Sequence, residues 1–120
     1  MTKYHAEHTW VRTEGDTTFV GITVHAQDTL GDIVFVDLAE TGKTFDQGHV
    51  AGVVESVKAA ADVHMPVTAT ILAVNEDLRA DPSLANSDPE GAGWFYKVTL
   101  NNAAELDGLM DASAYQTTAG

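Results

Sequence analysis

The sequence predicts a mainly β fold in a single domain, with short helices and a helix near the C-terminal end. Three observations lead to this. Short runs rich in Val, Ile, Thr, Phe and Tyr recur between turn residues, which is the spacing of strands in small β domains. The chain has 120 residues, of which 44% are hydrophobic, enough for one domain with its own core. Late in the chain, residues 103–115 space Leu106, Leu109, Met110 and Tyr115 at roughly helical intervals, as a helix laid on the β body would.

The elements follow in order. Residues 8–12 form a first short strand, Glu14-Gly15-Asp16 a turn, and residues 17–22 the answering strand of a hairpin. HAQDTL, residues 25–30, lacks strand alternation and predicts one helical turn before Gly31. DIVFVDL, residues 32–38, is the strongest strand signal, with Ile33, Phe35 and Asp37 on one face and Val34, Val36 and Leu38 on the other. Both faces are largely apolar, which predicts a strand inside the fold.

Thr41-Gly42-Lys43 turns the chain. VAGVVESV (50–57) and DVHMPV (62–67) are strand runs flanking Lys58-Ala59-Ala60-Ala61, and residues 68–74 continue as another strand. Pro66 marks an edge, a bulge or a strand end. Asn75 can cap a short helix reaching Ala80, and Asp81-Pro82 and Asp88-Pro89 signal turns or helix starts. Gly91 and Gly93 bracket a bend before WFYKVTL (94–100), a last aromatic strand in which at least one of Trp94, Phe95 and Tyr96 belongs to the core. Residues 117–120 are predicted to fray.

Composition narrows the function. Eighteen acidic residues against six basic ones give a net charge of -12. Such a surface repels nucleic acid and anionic lipid and favours basic partner surfaces, although high charge also serves solubility alone. Without cysteine there is no disulfide, no thiol nucleophile and no zinc–thiolate site. No apolar run approaches the length of a membrane span, and residues 1–8 lack the apolar stretch of a signal peptide. A cytoplasmic protein is the simplest expectation. The five histidines are scattered without a metal-binding arrangement. Neither a nucleophile elbow nor a phosphate-binding glycine loop is present. Acid is too abundant for any carboxylate pair to read as an acid–base signal.

One constellation stands out. Lys58 is one of four lysines, sits where two apolar strand runs meet, and is followed by three alanines that leave its ammonium open. Two strands meeting at a small-residue turn make a protruding tip, easily reached by a modifying enzyme and by several partners in turn. Glu55 and Asp62 place negative charge on either side. By spacing alone, a lysine beside a β-turn is an ordinary solvated surface residue.

Four ordered segments add a resemblance. ESVKAAADV (55–63) resembles the lipoyl-attachment hairpin of the glycine cleavage H-protein family, with Lys58 in the lysine position. ADPSLANSDPEGAGWFYKV (80–98) is similar to the family's motif of Pro steps around an Asn leading to Gly-Trp and a lysine-bearing strand. VGITVHAQDTLGDIVFVDL (20–38) and ELDGLMDASAYQ (105–116) follow the family pattern as well. Biotin carriers share the hairpin plan but set the lysine between methionines, where this chain has Val57 and Ala59. Lipoyl domains of 2-oxoacid dehydrogenases share it without the Trp94 motif or the terminal helix.

The resemblance implies a barrel-sandwich hybrid of the lipoyl/biotinyl-carrier type spanning residues 1–120, with lipoate covalently attached at Lys58 and no catalysis of its own. It implies that the arm accepts an aminomethyl group from glycine decarboxylase, presents it to the aminomethyltransferase and is reoxidised by dihydrolipoamide dehydrogenase, after lipoylating enzymes have installed it. Glu55 and Asp62 are then candidates for the acidic context of the attachment site.

The chain departs from the family pattern at Thr9, usually Glu; at Val24, commonly Asp; at Thr29, His in some members; and at Ala69-Thr70, usually Gly-Glu. Groups of the first three kinds hold the loaded amine in the family, and of that acidic set Asp62 is retained. Two alternatives stay open: an H-like protein relaying lipoyl or octanoyl groups, and a non-covalent binding module.

Overall fold

The computed structural model describes residues 2–119. Nine strands form two antiparallel sheets among these residues. The larger sheet has six strands. β1 (Thr2–His5), β2 (Thr9–Glu14) and β3 (Thr17–Ile22) are followed across the sheet by β9 (Tyr96–Leu100), β8 (Ala69–Val74) and β5 (Thr44–Phe45). The smaller sheet sets β6 (Val50–Ser56) between β4 (Ile33–Leu38) and β7 (Ala60–His64). The mainly β architecture with short helices and a C-terminal helix is therefore the one expected from sequence.

Local chemistry accounts for the joints. Glu14 pairs with Thr17 across the Gly15-Asp16 turn. Gly15 takes φ +60°, a conformation that costs glycine little. α1 (Val24–Leu30) starts where the Thr23 hydroxyl accepts the Ala26 amide at 3.2 Å. It stops at Gly31, whose φ is +78°. Asn75 caps α2 (Glu76–Ala80) by accepting from the Asp77 and Leu78 amides, as its position in the sequence suggests. α3 (Leu84–Ser87) follows the Asp81-Pro82 step.

The core lies between the sheets. Val11, Val20, Ile22, Ile71 and Val98 from the large sheet face Ile33, Val36, Val54 and Val63 from the small one. Met65, Val67, Phe95 and Tyr96 fill the ends, all without exposure. Each such side chain contributes roughly 1.5–3 kcal/mol on leaving water. Phe95 and Tyr96 are thus core, while Trp94 is only half-buried.

Two expectations fail. β4 is an edge strand, and a bulge between Ile33 and Phe35 breaks its alternation. Ile33 and Val36 are buried, while Val34 and Phe35 are 56% and 51% exposed, so both faces are not inside. The bulge's extra residue shifts which side chains point inward.

The second failure is the single helix over 103–115, which splits into a 3-10 segment at Ala103–Gly108 and α4 at Ala112–Ala119. Between them Met110 pairs with Tyr4, each backbone amide donating to the other's carbonyl at 2.8 and 2.9 Å. Gly108 disfavours helix continuation, and the Asp111 carboxylate restarts it by accepting the Ala114 amide at 2.8 Å. α4 extends to Ala119; Gly120, the end of the segment expected to fray, lies outside the described residues.

Candidate functional site

β6 and β7 pair antiparallel, with Glu55 opposite Ala60, Val54 opposite Ala61 and Val53 opposite Asp62. Val57, Lys58 and Ala59 connect them, all three exposed. Sequence reasoning singles out Lys58 but misses the residue that shapes its turn. The Ser56 amide and hydroxyl both donate to the Ala59 carbonyl, at 2.8 and 3.0 Å. The same hydroxyl accepts the Lys58 and Ala59 amides at 3.2 and 3.1 Å. A serine closing its own turn through side chain-to-backbone bonds is a local signal readable from its place just before the tip. The tip is tied down from the side, where the Val57 amide donates to the Asp32 carbonyl at 3.0 Å.

Glu55 and Asp62 point to the same, outer face of the small sheet, with Phe35 and Asp37 of β4 beside them by register. They are diagonal neighbours on adjacent strands, and neither forms an ion pair with Lys58 among the described residues. Only Asp62 also borders the cleft below the tip.

That cleft has a volume of about 190 Å³. Its walls are Ile22, Ala26, Leu30, Val54, Ala61 and Val63, and its polar groups are Glu7, His8, Thr9, His25, Thr29 and Asp62. Thr9 and Thr29, two positions where this chain departs from the family pattern, are therefore cleft residues, whereas Val24 is not. Val24 is 48% exposed and borders a larger hollow of about 540 Å³ with Tyr4, Asp28, Glu90 and Tyr115. No residue of the β6–β7 hairpin borders that hollow, and His25 stands between the two.

A hydrogen-bonded chain backs the cleft. The Ala26 amide donates to the Thr23 hydroxyl, which lies 2.7 Å from the Tyr115 hydroxyl. That hydroxyl lies 2.6 Å from His8 Nδ1. The chain is satisfied in one direction when Thr23 donates to Tyr115 and Tyr115 donates to a neutral His8. Burial, and then the neighbouring His25, push the His8 imidazole below its ordinary range, while Glu7 opposes them. The rings of His8 and His25 stand 4.4 Å apart. Burial also raises the Tyr115 phenol, which keeps it protonated.

The cleft suits a slender apolar chain ending in a cation. Its walls are aliphatic, two carboxylates lie at its border, and the buried Thr9 hydroxyl has no partner among the described residues. A lipoyl arm has that form: methylenes and sulfurs for the walls, and an amine when loaded for the polar groups.

Two β sheets that sandwich a core and raise one lysine on a hairpin tip, with a cleft beside it, define a carrier-type scaffold. Residues 2–120 match the family described as Glycine cleavage H-protein. The glycine cleavage system H protein of Chromobacterium violaceum is 56% identical over 119 residues, covering 98% of this chain and 93% of its own. That of Neisseria meningitidis serogroup C is 55% identical over 114 residues, covering 94% and 89%. The crystal structure of a glycine cleavage system H protein from Mycobacterium marinum matches with a TM-score of 0.87 at 38% identity, over 97% of this chain and 94% of that one. The chain belongs to the glycine cleavage H-protein family.

Proposed function

We propose that this protein is the lipoyl-bearing carrier of glycine cleavage, moving the aminomethyl unit released on glycine decarboxylation between the enzymes of that system. The observation that carries the reading is Lys58 on a Ser56-braced tip beside an apolar cleft, in a chain of this family. The lipoyl group, when bound, supplies a disulfide–dithiol pair able to carry a one-carbon unit and to be reoxidised. Everything else falls to the protein.

Lys58 Nζ holds the arm as an amide and gives up its charge in doing so. Ile22, Leu30, Val54 and Val63 exclude water from whatever enters the cleft. Asp62 and Glu7 supply negative charge to a cationic end, and neutral His8 adds no competing positive charge. At Thr9 the cleft border carries a buried neutral hydroxyl in place of the usual carboxylate, which leaves Asp62 and Glu7 as its acidic residues. The acidic surface favours basic docking faces on glycine decarboxylase, the aminomethyltransferase, dihydrolipoamide dehydrogenase and the lipoylating enzymes. The bacterial relatives support a cytoplasmic setting. Tethering raises the local concentration of the carried unit at each partner, while the hard chemistry belongs to cofactors and partner enzymes.

Intact mass tests the reading. Protein made with lipoate and a lipoylating enzyme should gain one lipoyl group, and Lys58→Arg should gain none. An unmodified wild-type chain, or a modified Lys58→Arg chain, would reject it.

A further inference from the structure

Lys58 does not project freely from the tip. A methyl group built on Gly31 would stand 2.9 Å from Lys58 Cε and 3.6 Å from its Nζ, so the lysine side chain lies across Gly31. The two residues preceding Gly31, Thr29 and Leu30, border the cleft. The root of the arm therefore crosses the backbone where the cleft wall begins.

That crossing point is fixed from outside the hairpin. Asn86, on α3, donates from Nδ2 to the Gly31 carbonyl at 2.8 Å. Its Oδ1 accepts the Ile33 amide, also at 2.8 Å. One amide thus spans Asp32, whose own carbonyl accepts the Val57 amide beside Lys58. The strap 31–33 is held by Asn86 on one side and by the tip on the other. This work needs a donor and an acceptor on one short side chain: aspartate lacks the donor, and glutamine reaches a carbon further.

We propose that Asn86 and Gly31 are positioning residues that set the heading of the Lys58 arm toward the cleft. This rests on the lipoyl-carrier reading. Asn86 holds the strap in register with the tip, and the missing Cβ of Gly31 lets the flexible end of Lys58 rest against the strap. With the strap loosened or that resting place filled, the arm samples more directions and enters the cleft less often, because preorganisation is lost. The role also links the Asn-containing segment 80–98 to Lys58, from which it is remote in sequence.

Gly31 also has a positive φ of +78°, so replacing it strains the backbone as well as crowding the lysine. Gly42 separates the two effects: its φ is +87°, and nothing lies within 4 Å of a Cβ there. The test compares wild type, Gly31→Ala, Gly42→Ala, Asn86→Ala and Asn86→Asp. In the unmodified proteins, nuclear Overhauser contacts are measured between the Lys58 ε-methylene and the residue 31 α-proton. In the lipoylated proteins, confirmed by intact mass, the lifetime of the aminomethyl group is measured after glycine decarboxylase is removed.

The wild-type contact should be present, survive Gly42→Ala and weaken in Gly31→Ala and Asn86→Ala. The lifetime should shorten about fivefold in those two variants, the scale of one lost hydrogen bond, and less in Asn86→Asp, which keeps the acceptor for Ile33. A wild-type chain without the contact, equal lifetimes across the set, or an equal drop in Gly42→Ala would overturn the proposal. A wild-type chain that gains no lipoyl group would instead overturn the carrier reading, leaving the Overhauser comparison to decide whether the strap positions Lys58.

Discussion

The Tyr96 hydroxyl donates to the Ala51 carbonyl at 2.5 Å, joining β9 of the large sheet to β6 of the hairpin that carries Lys58. The same oxygen accepts the Ala39 amide at 2.8 Å. Gly52 leaves room for it, since a Cβ there would come within 2.8 Å. Burial raises the phenol to about 12, so it stays protonated throughout the neutral range. Tyr96→Phe keeps the ring and strips both backbone groups of their partner. Urea unfolding should report a loss of about 1–3 kcal/mol; an unchanged midpoint would mean the joint between sheets does not depend on this hydroxyl.

Asn75 tests a different junction. Its Nδ2 donates to the Ala92 and Trp94 carbonyls, both at 2.8 Å, while its Oδ1 caps α2. The side chain is buried at 4% exposure. Asn75→Asp retains the cap but cannot donate, and it brings a carboxylate oxygen against two carbonyls. We expect Asp to be at least as damaging as Ala here, although aspartate is among the best capping residues. Thermal melting of the two variants decides it: a stable Asp variant beside an unstable Ala variant would make the cap the dominant role.

Gly21 faces Trp10 across the β2–β3 pair, and a Cβ there would fall 2.7 Å from the indole ring. Trp10 is fully buried and its Nε1 donates to the Pro89 carbonyl at 3.0 Å, so the ring has little freedom to yield. Gly21→Ala should cost about 1–3 kcal/mol through overpacking. Gly108→Ala, with nothing within 4 Å of the added carbon, should leave the denaturation midpoint near wild type.

Much of this structure is legible in the residues because its signals are local. The Gly15-Asp16 hairpin, the Asn75 cap and the two strands around Lys58 each follow from a few neighbouring side chains. What escapes a linear reading depends on partners remote in sequence. Val34 and Phe35 look like core until the bulge in β4 turns them outward. The helix expected over 103–115 loses its middle because Tyr4, at the other end of the chain, pairs with Met110. At the site, Lys58 is singled out by the resemblance of segment 55–63 rather than by its setting between strands, and no local signal connects Asn86 and Gly31 to it. The hydrogen bonds that connect them cross from 31 to 86.

Burial of His8 beside His25 makes stability depend on pH in a defined direction. The folded pKa of His8 lies below the unfolded value of about 6.5. Between these two values the unfolded chain binds more protons than the folded one, so stability rises with pH across that window and is lost as pH falls through it. His5, lowered mainly by burial, acts in the same direction. With both ring nitrogens protonated, His8 Nδ1 can only donate to the Tyr115 hydroxyl, and a positive charge is set beside His25. His8→Asn is the suitable probe, because His8 holds φ +65° and asparagine tolerates that conformation. Unfolding free energies measured from about pH 7.5 down to about pH 5.5 should fall less steeply in His8→Asn than in wild type. Parallel curves would assign the pH dependence to other groups and leave the His8–Tyr115 contact without a role in it.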